Sequence, residues 1–168
     1  MHLGPTKQDL AFLDHAVDLA LAAEFEGHLP VGAVITLGNQ ILATGASSVP
    51  GPPYHPGRHA EINALAQVDV ELWPRASEMT VYSTLEPCVM CYSTCLLHGI
   101  GRIVFGATDT RGGARFIRSH LPPYYAQPDG SIGGPAWIGP VDPERCDPLY
   151  ERVHEAFSRL PCGITTQT

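Results

Sequence analysis

Two short runs, His59-Ala60-Glu61 and Pro87-Cys88-Val89-Met90-Cys91, constrain the fold of this chain more than any other feature. If they serve one purpose, the backbone must bring both to a single point. His59, Cys88 and Cys91 then form a three-ligand set for one zinc ion. The fourth tetrahedral position stays open to water, where a structural site would close it with another protein ligand. An ion held this way lowers the pKa of water from ~15.7 toward ~7. Glu61 lies outside the ligand set and is free to carry a proton. The pattern points to hydrolytic chemistry.

Local sequence agrees. Ile62, Leu65 and Ala66 recur at helical spacing and set His59 and Glu61 in the first turn of a helix. Pro87 stands where proline is tolerated, at the start of a second helix carrying Cys88, Cys91 and Cys95. Thiolates there gain from the unpaired N–H groups and dipole of the helix start. Taken alone, a C-x-x-C run serves redox pairs and structural zinc sites as readily as catalytic ones. The two motifs in this order, with proline before the first cysteine, match the signature of zinc-dependent base deaminases. His55 imitates a helical pair with His59, but Pro56 and Gly57 between them break any helix and make His55 a loop residue. Cys95 reads as a small buried apolar side chain.

The remaining chain reads as one domain, residues 1–168, with a core over about 8–112 and a loop plus closing helix over 113–160. Thr6-Lys7-Gln8-Asp9 resembles a capping signal. Leu10, Leu13, Val17, Ala20 and Leu21 follow at helical spacing until Gly27. Val31–Leu37 and Gln40–Thr44 predict strands joined by a tight Gly38-Asn39 turn, with further strands at Met79–Ser83 and Arg102–Ala107. Residues 50–57, rich in proline and glycine, predict a stiff loop leading to His59. Leu121–Pro143 predicts an ordered loop with one short strand at Trp137-Ile138, and Asp147-Pro148 starts a last helix with Leu149, Val153, Phe157 and Leu160 on one face. The expected class is α/β, helices layered on a mixed central sheet.

The run Leu85-Glu86-Pro87-Cys88-Val89-Met90-Cys91, then Gly101-Arg102-Ile103-Val104-Phe105-Gly106-Ala107, resembles the bacterial tRNA adenosine deaminase and guanine deaminase branch of the cytidine deaminase-like superfamily. Leu29–Val34 resembles that family's first strand. The resemblance covers about residues 8–112 and implies a three-layer α/β/α fold, with His59, Cys88 and Cys91 as zinc ligands and Glu61 as proton shuttle. It also implies a base contact from the Ala60 backbone and a homodimer packed through the helices after the zinc motifs. Relatives usually carry an Asn on the loop after the second strand; this chain has Ala46-Ser47-Ser48 there. A serine hydroxyl cannot replace the acceptor and two donors of an amide, so Ser47 and Ser48 are candidate contacts of a different kind. Asp109, Tyr124, Tyr125 and Trp137 complete the candidate substrate contacts, the aromatic rings as stacking surfaces over the zinc.

Charge bears on the substrate. Seventeen acidic against ten basic side chains give a net charge of −7, which disfavours a nucleic-acid partner that must be gripped by its phosphates. Arg102, Arg111, Arg115 and Arg118 offer a local basic rim at most. The expected activity is therefore a zinc-dependent hydrolytic deaminase, a hydrolase of C–N bonds in cyclic amidines. It would contain one Zn²⁺ per chain and act on a free nucleobase, nucleoside or related small-molecule heterocycle. A tRNA-specific adenosine deaminase, forming inosine, is the first alternative. A non-catalytic zinc-containing binding module is the second, and an intact Glu61 speaks against it. No run approaches ~18 apolar residues, and Cys95, Cys146 and Cys162 fit a reducing compartment. The expected location is cytoplasmic, without a membrane partner.

Overall fold

The computed structural model describes residues 4–125 and 133–160. Cys162 and part of the Leu121–Pro143 segment lie outside the described residues. Helix α1 (Lys7–Phe25) starts at a capping box in which Thr6 accepts from the Asp9 amide and the Asp9 carboxylate accepts from Thr6. The hairpin β1 (Gly32–Leu37) and β2 (Gln40–Ala46) turns at Gly38, whose φ of 57° suits glycine. Then come α2 (Ala60–Leu65), a 3₁₀ stretch at Val70–Glu78, β3 (Met79–Leu85), α3 (Val89–His98) and β4 (Arg102–Ala107). The short β5 (Ala136–Ile138) and α4 (Pro143–Phe157) close the described order.

The sheet runs β2-β1-β3-β4-β5. The β1 strand is antiparallel to β2 and β3, and the remaining neighbours are parallel. Alternation along the inner strands feeds both faces. Ala33, Ile35, Val81, Ile103 and Phe105 join α2 and α3 residues in one core, and Val34, Tyr82 and Val104 meet α1 and α4 in the other. This is the expected three-layer α/β/α arrangement. Glycine lets both layers close tightly: a Cβ on Gly32 would lie 2.0 Å from the Ala16 carbonyl, and one on Gly45 would lie 2.2 Å from that of Ala60. The edge of β2 is also covered. Asn63 donates to the Ala46 carbonyl and Gln67 to that of Thr44, so side chains of α2 and the turn after it occupy groups that an edge strand would otherwise present to another chain.

Three details depart from the sequence expectation. The last helix starts one turn early, because Asp142 caps it by accepting from the Arg145 amide and Pro143 takes the first helical position. Pro148 is therefore inside α4. Its missing N–H leaves only the exposed Glu144 carbonyl to water. The 3₁₀ stretch before β3, with Ala76 its one buried residue, is absent from the sequence expectation. Finally, β2 and β3 each run two residues beyond their expected ends, since β2 goes on pairing with β1 and β3 with β4 there. Among the described residues no helix is long and apolar enough to cross a membrane.

Candidate active site

The parallel strands β3 and β4 end side by side, and the turns that follow them meet the starts of α2 and α3. His59 is the N-cap residue of α2 and Glu61 lies in its first turn; Cys88 is the N-cap residue of α3 and Cys91 lies in the turn after it. The two motifs thus converge. His59 Nδ1 is 3.5 Å from Cys88 Sγ and 3.6 Å from Cys91 Sγ, and the two sulfurs are 3.7 Å apart. A tetrahedral zinc with Zn–S of about 2.3 Å and Zn–N of about 2.0–2.1 Å requires N···S edges of about 3.6 Å and an S···S edge of about 3.8 Å. The three ligand atoms fit one zinc ion and leave one corner free.

The electrostatics suit a cation. The Cys88 thiol is pulled down to about 4 by its hydrogen bond with Cys91 and by the neighbouring His59, against the effect of burial. Cys91 moves the opposite way, raised by the Cys88 contact and by burial. Burial alone would lower the His59 pKa, but the Cys88 hydrogen bond and charge outweigh it and the net shift is upward. Glu61 is pushed up from the usual carboxylate range by burial and by the Cys88 charge.

Glu61 is held from two sides. Ser83, on β3, donates to Oε1 at 3.0 Å, and the Cys91 thiol approaches Oε2 at 3.3 Å. Ser83 carries no sequence signal of its own; only the inward phase of β3 puts it beneath Glu61. Below the β4 turn, the buried Glu86 carboxylate accepts from the Asp109 and Arg115 amides and pairs with the Arg115 guanidinium, which also donates to the Asp109 carbonyl. This pair fastens the 107–116 turn against the cysteine turn.

A cavity of about 410 Å³ opens over His59, Ala60, Glu61 and Cys88. Ser47 and Asp109 also line it. Ser48 does not; its hydroxyl accepts from Asn63 beside a separate, shallower groove of about 420 Å³ along β2. Tyr124, Tyr125 and Trp137 are not among the lining residues. Trp137 is packed against Phe105 and Tyr92 with Arg118 over its ring, and Tyr124 stands 85% exposed in edge contact with Tyr125. The wall opposite the ligands comes instead from α4, through Tyr150, Val153, His154 and Phe157. Val153 and Phe157 belong to the apolar face legible in the sequence, whereas Tyr150 and His154 do not. The arginine rim also dissolves: Arg102 pairs with Asp9, Arg115 with Glu86, and Arg118 lies on Trp137, leaving Arg111 at the cavity.

Comparison with known proteins gives the same picture. Residues 6–107 match the family model of the cytidine and deoxycytidylate deaminase zinc-binding region. The chain is 42% identical over 101 residues to a tRNA-specific adenosine deaminase of Buchnera aphidicola subsp. Baizongia pistaciae, and 34% identical over 108 residues to one of Bacillus subtilis. These matches cover 59% and 63% of the chain and span 61% and 66% of the relatives' own lengths. A structure from a study of A-to-I editing by tRNA:A34 deaminases superimposes with a TM-score of 0.66 at 25% identity, covering 83% of this chain and 99% of that one. Guanine deaminase of Bacillus subtilis gives 0.54 at 26% identity, covering 67% and 76%. The matched segment contains the whole ligand trio and Glu61 at the geometry a zinc ion requires, and the chain belongs to the cytidine and deoxycytidylate deaminase zinc-binding family.

Proposed function

We propose that the chain is a hydrolytic deaminase that replaces the exocyclic amino group of an aminated heterocycle with oxygen from water and releases ammonia. The observation that carries this reading is the placement of Glu61, a buried carboxyl outside the ligand trio that faces the same cavity. When bound, zinc supplies the Lewis acidity that makes water nucleophilic near neutral pH. Glu61 takes one proton from the water and passes it to a ring nitrogen as the oxygen bonds to the ring carbon. It then takes the second proton from the added hydroxyl and gives it to the amine, which leaves as ammonia as the C–N bond breaks and the ring carbonyl forms. Ser83 keeps one carboxylate oxygen fixed, which leaves the other side of the group to swing between donor and acceptor. The Ala60 backbone, at the foot of the cavity, is positioned for the ring. A purely binding role for the metal leaves Glu61 without a task.

The site geometry favours a free base, nucleoside or similar small heterocycle. Helix α4 stands against the ligands, and three of the four candidate rim arginines are engaged within the chain. The net charge of −7 works in the same direction. The relatives favour the second reading, adenosine in tRNA, since those compared above carry that name. The two separate in one experiment. Zinc-loaded protein is assayed for ammonia release from guanine, adenine, cytosine, 2-amino-4-hydroxypteridine and melamine, and for inosine in an anticodon stem-loop. A small heterocycle should be turned over with efficiency nearly flat between low and physiological salt. Inosine formation with a steep salt slope, roughly 0.7 log units per phosphate contact per log unit of salt, gives the assignment to tRNA.

The same reading includes a homodimer. Val89, Met90 and Leu97 form an exposed apolar stripe on α3, of a kind that a two-fold partner covers. A cytoplasmic location fits thiols that must stay reduced to bind metal.

A further inference from the structure

We infer that Val153 and Phe157 of α4 form an apolar subsite for a hydrocarbon substituent, so that the preferred substrate is an alkylated aminoheterocycle and not a riboside or a nucleotide. The cavity holds more than a ring. A void of roughly 150 Å³ already takes benzene, and this cavity measures about 410 Å³. With the amino-bearing carbon set against the ligand trio and Glu61, a group on the far side of the ring points to the opposite wall, which is α4. Val153 and Phe157 line the cavity there, and Leu29, Val31 and Leu85 continue the apolar surface. Among the described residues, Leu29 and Phe157 belong to neither of the two cores. Their apolar surface is therefore available to a substituent, and each methylene placed against it gains from leaving water.

The polar groups of the lining are committed elsewhere. The Tyr150 hydroxyl donates to Asp109 and accepts from the Thr110 amide. Asp109 Oδ1 also accepts from the Arg111 and Gly112 amides, and Glu86 serves the Asp109 and Arg115 amides and the Arg115 guanidinium. Ser47 Oγ and His154 Nε2 are enclosed by protein, out of reach of a ligand. Arg111, exposed, and the second Asp109 oxygen remain on the turn after β4, a polar edge beside the apolar wall. Sugar hydroxyls laid against Val153 and Phe157 would leave water without gaining partners, which costs binding, whereas a hydrocarbon chain of the same shape loses nothing.

This inference rests on the free-heterocycle reading, and its test separates the two. Zinc-loaded wild-type protein is first assayed on the stem-loop and on the rings named above, each unsubstituted and with a propyl group at the atom across the ring from the reacting amine. The best ring is then given a 2,3-dihydroxypropyl or a phosphate-bearing propyl group at the same atom. The propyl form should exceed the unsubstituted, dihydroxypropyl and phosphate forms in kcat/KM by at least about tenfold, the scale of a few buried carbons in an apolar pocket. Phe157→Ala should bring the ratio of propyl to unsubstituted ring down to about threefold or less, and Val153→Thr, close in shape, should lower the ratio of propyl to dihydroxypropyl by a similar factor. Both substrates of each ratio are read on one preparation, so any loss of folded protein cancels. A wild-type preference for the dihydroxypropyl, phosphate or unsubstituted form would overturn the inference and leave the reading intact. A propyl preference unchanged in both variants would do the same, since α4 would then not be its source. Activity on the stem-loop alone, or on no ring in either form, would overturn both, and wild type shows this before any variant is made.

Discussion

The floor of the cavity is made of two contiguous motifs at helix starts; His59, Cys88 and Cys91 lie within ligand distance of one another, and Glu61 contacts Cys91. The roof is one helix from the end of the chain, tied down by side chains distant in sequence. Tyr150 joins α4 to the β4 turn through Asp109 and Thr110, Arg152 pairs with Glu24, and Arg145 with Asp14. The roof lies beyond the matched residues 6–107. The contrast teaches that the metal-ligand trio and the wall facing it come from separate parts of the chain, which can be altered one at a time. A floor shared across a family can work under different roofs.

The largest effect should come from the floor. Cys91→Ser or His59→Ala removes one of three ligands, so metal analysis should show zinc lost and every deaminase assay should fall to background. Full zinc in either variant would break the proposed trio. Glu61→Gln comes next: zinc and fold are retained, because the amide keeps the side-chain shape, while turnover drops at least ~100-fold. Turnover within a few fold of wild type would mean that the proton travels by another route.

A third test leaves the floor untouched and loosens the layer on which the roof rests. Asp9 is buried, caps α1, pairs with Arg102 at 2.5 Å and accepts from Tyr82. Burial by itself would raise its pKa, but Arg102, Thr6 and Tyr82 outweigh this and hold the carboxyl well below its ordinary value of 3.8. A depressed folded pKa gives stability that is complete above 3.8 and is lost as pH falls below it toward the folded value. Asp9→Ala should cost about 3 kcal/mol near neutrality, the scale of breaking one side of a buried pair. Denaturation measured from pH 5 downward should show this gap from wild type narrowing. A constant gap would show that the Asp9 charge does not matter.

The smallest effect should come from the tie between roof and floor. Tyr150→Phe removes a hydroxyl that donates to Asp109 and accepts from the Thr110 amide, a loss of about 1 to 2 kcal/mol. KM should rise by up to about tenfold with kcat held, since nothing at Glu61 changes. A fall in kcat with KM unchanged would instead tie α4 to the chemical step and weaken the division between the two parts.

The floor was almost wholly legible. His59 and Glu61 stand two residues apart, and Cys88 and Cys91 three, so covalent spacing at a helix start already fixes how each pair sits. The strands were legible from alternation and the hairpin from Gly38-Asn39, with β2 and β3 extended by cross-strand pairing and β1 starting one residue later than expected. The roof was half legible. Its apolar face was visible in Val153 and Phe157, but the same spacing serves any packed helix, and nothing local said that Tyr150 and His154 would turn toward the zinc ligands. The expected aromatic cover failed for the same reason. Trp137 is a large apolar ring that finds Phe105 and Tyr92 as soon as β5 pairs with β4, and burial there satisfies it without any ligand.

What the sequence determined by itself is the metal, its ligand set and the nearby carboxyl, because these depend on residue type and on distances along the chain that the backbone cannot change. Only the tertiary structure decided what surrounds these groups: Ser83 beneath Glu61, the Arg115–Glu86 clamp in place of a basic rim, and Tyr150, Val153, His154 and Phe157 of α4 in the cavity wall. Each of these depends on where one element comes to rest against another far away in sequence. That placement is set by burial and by hydrogen bonds between elements, which become fixed only when the layers close.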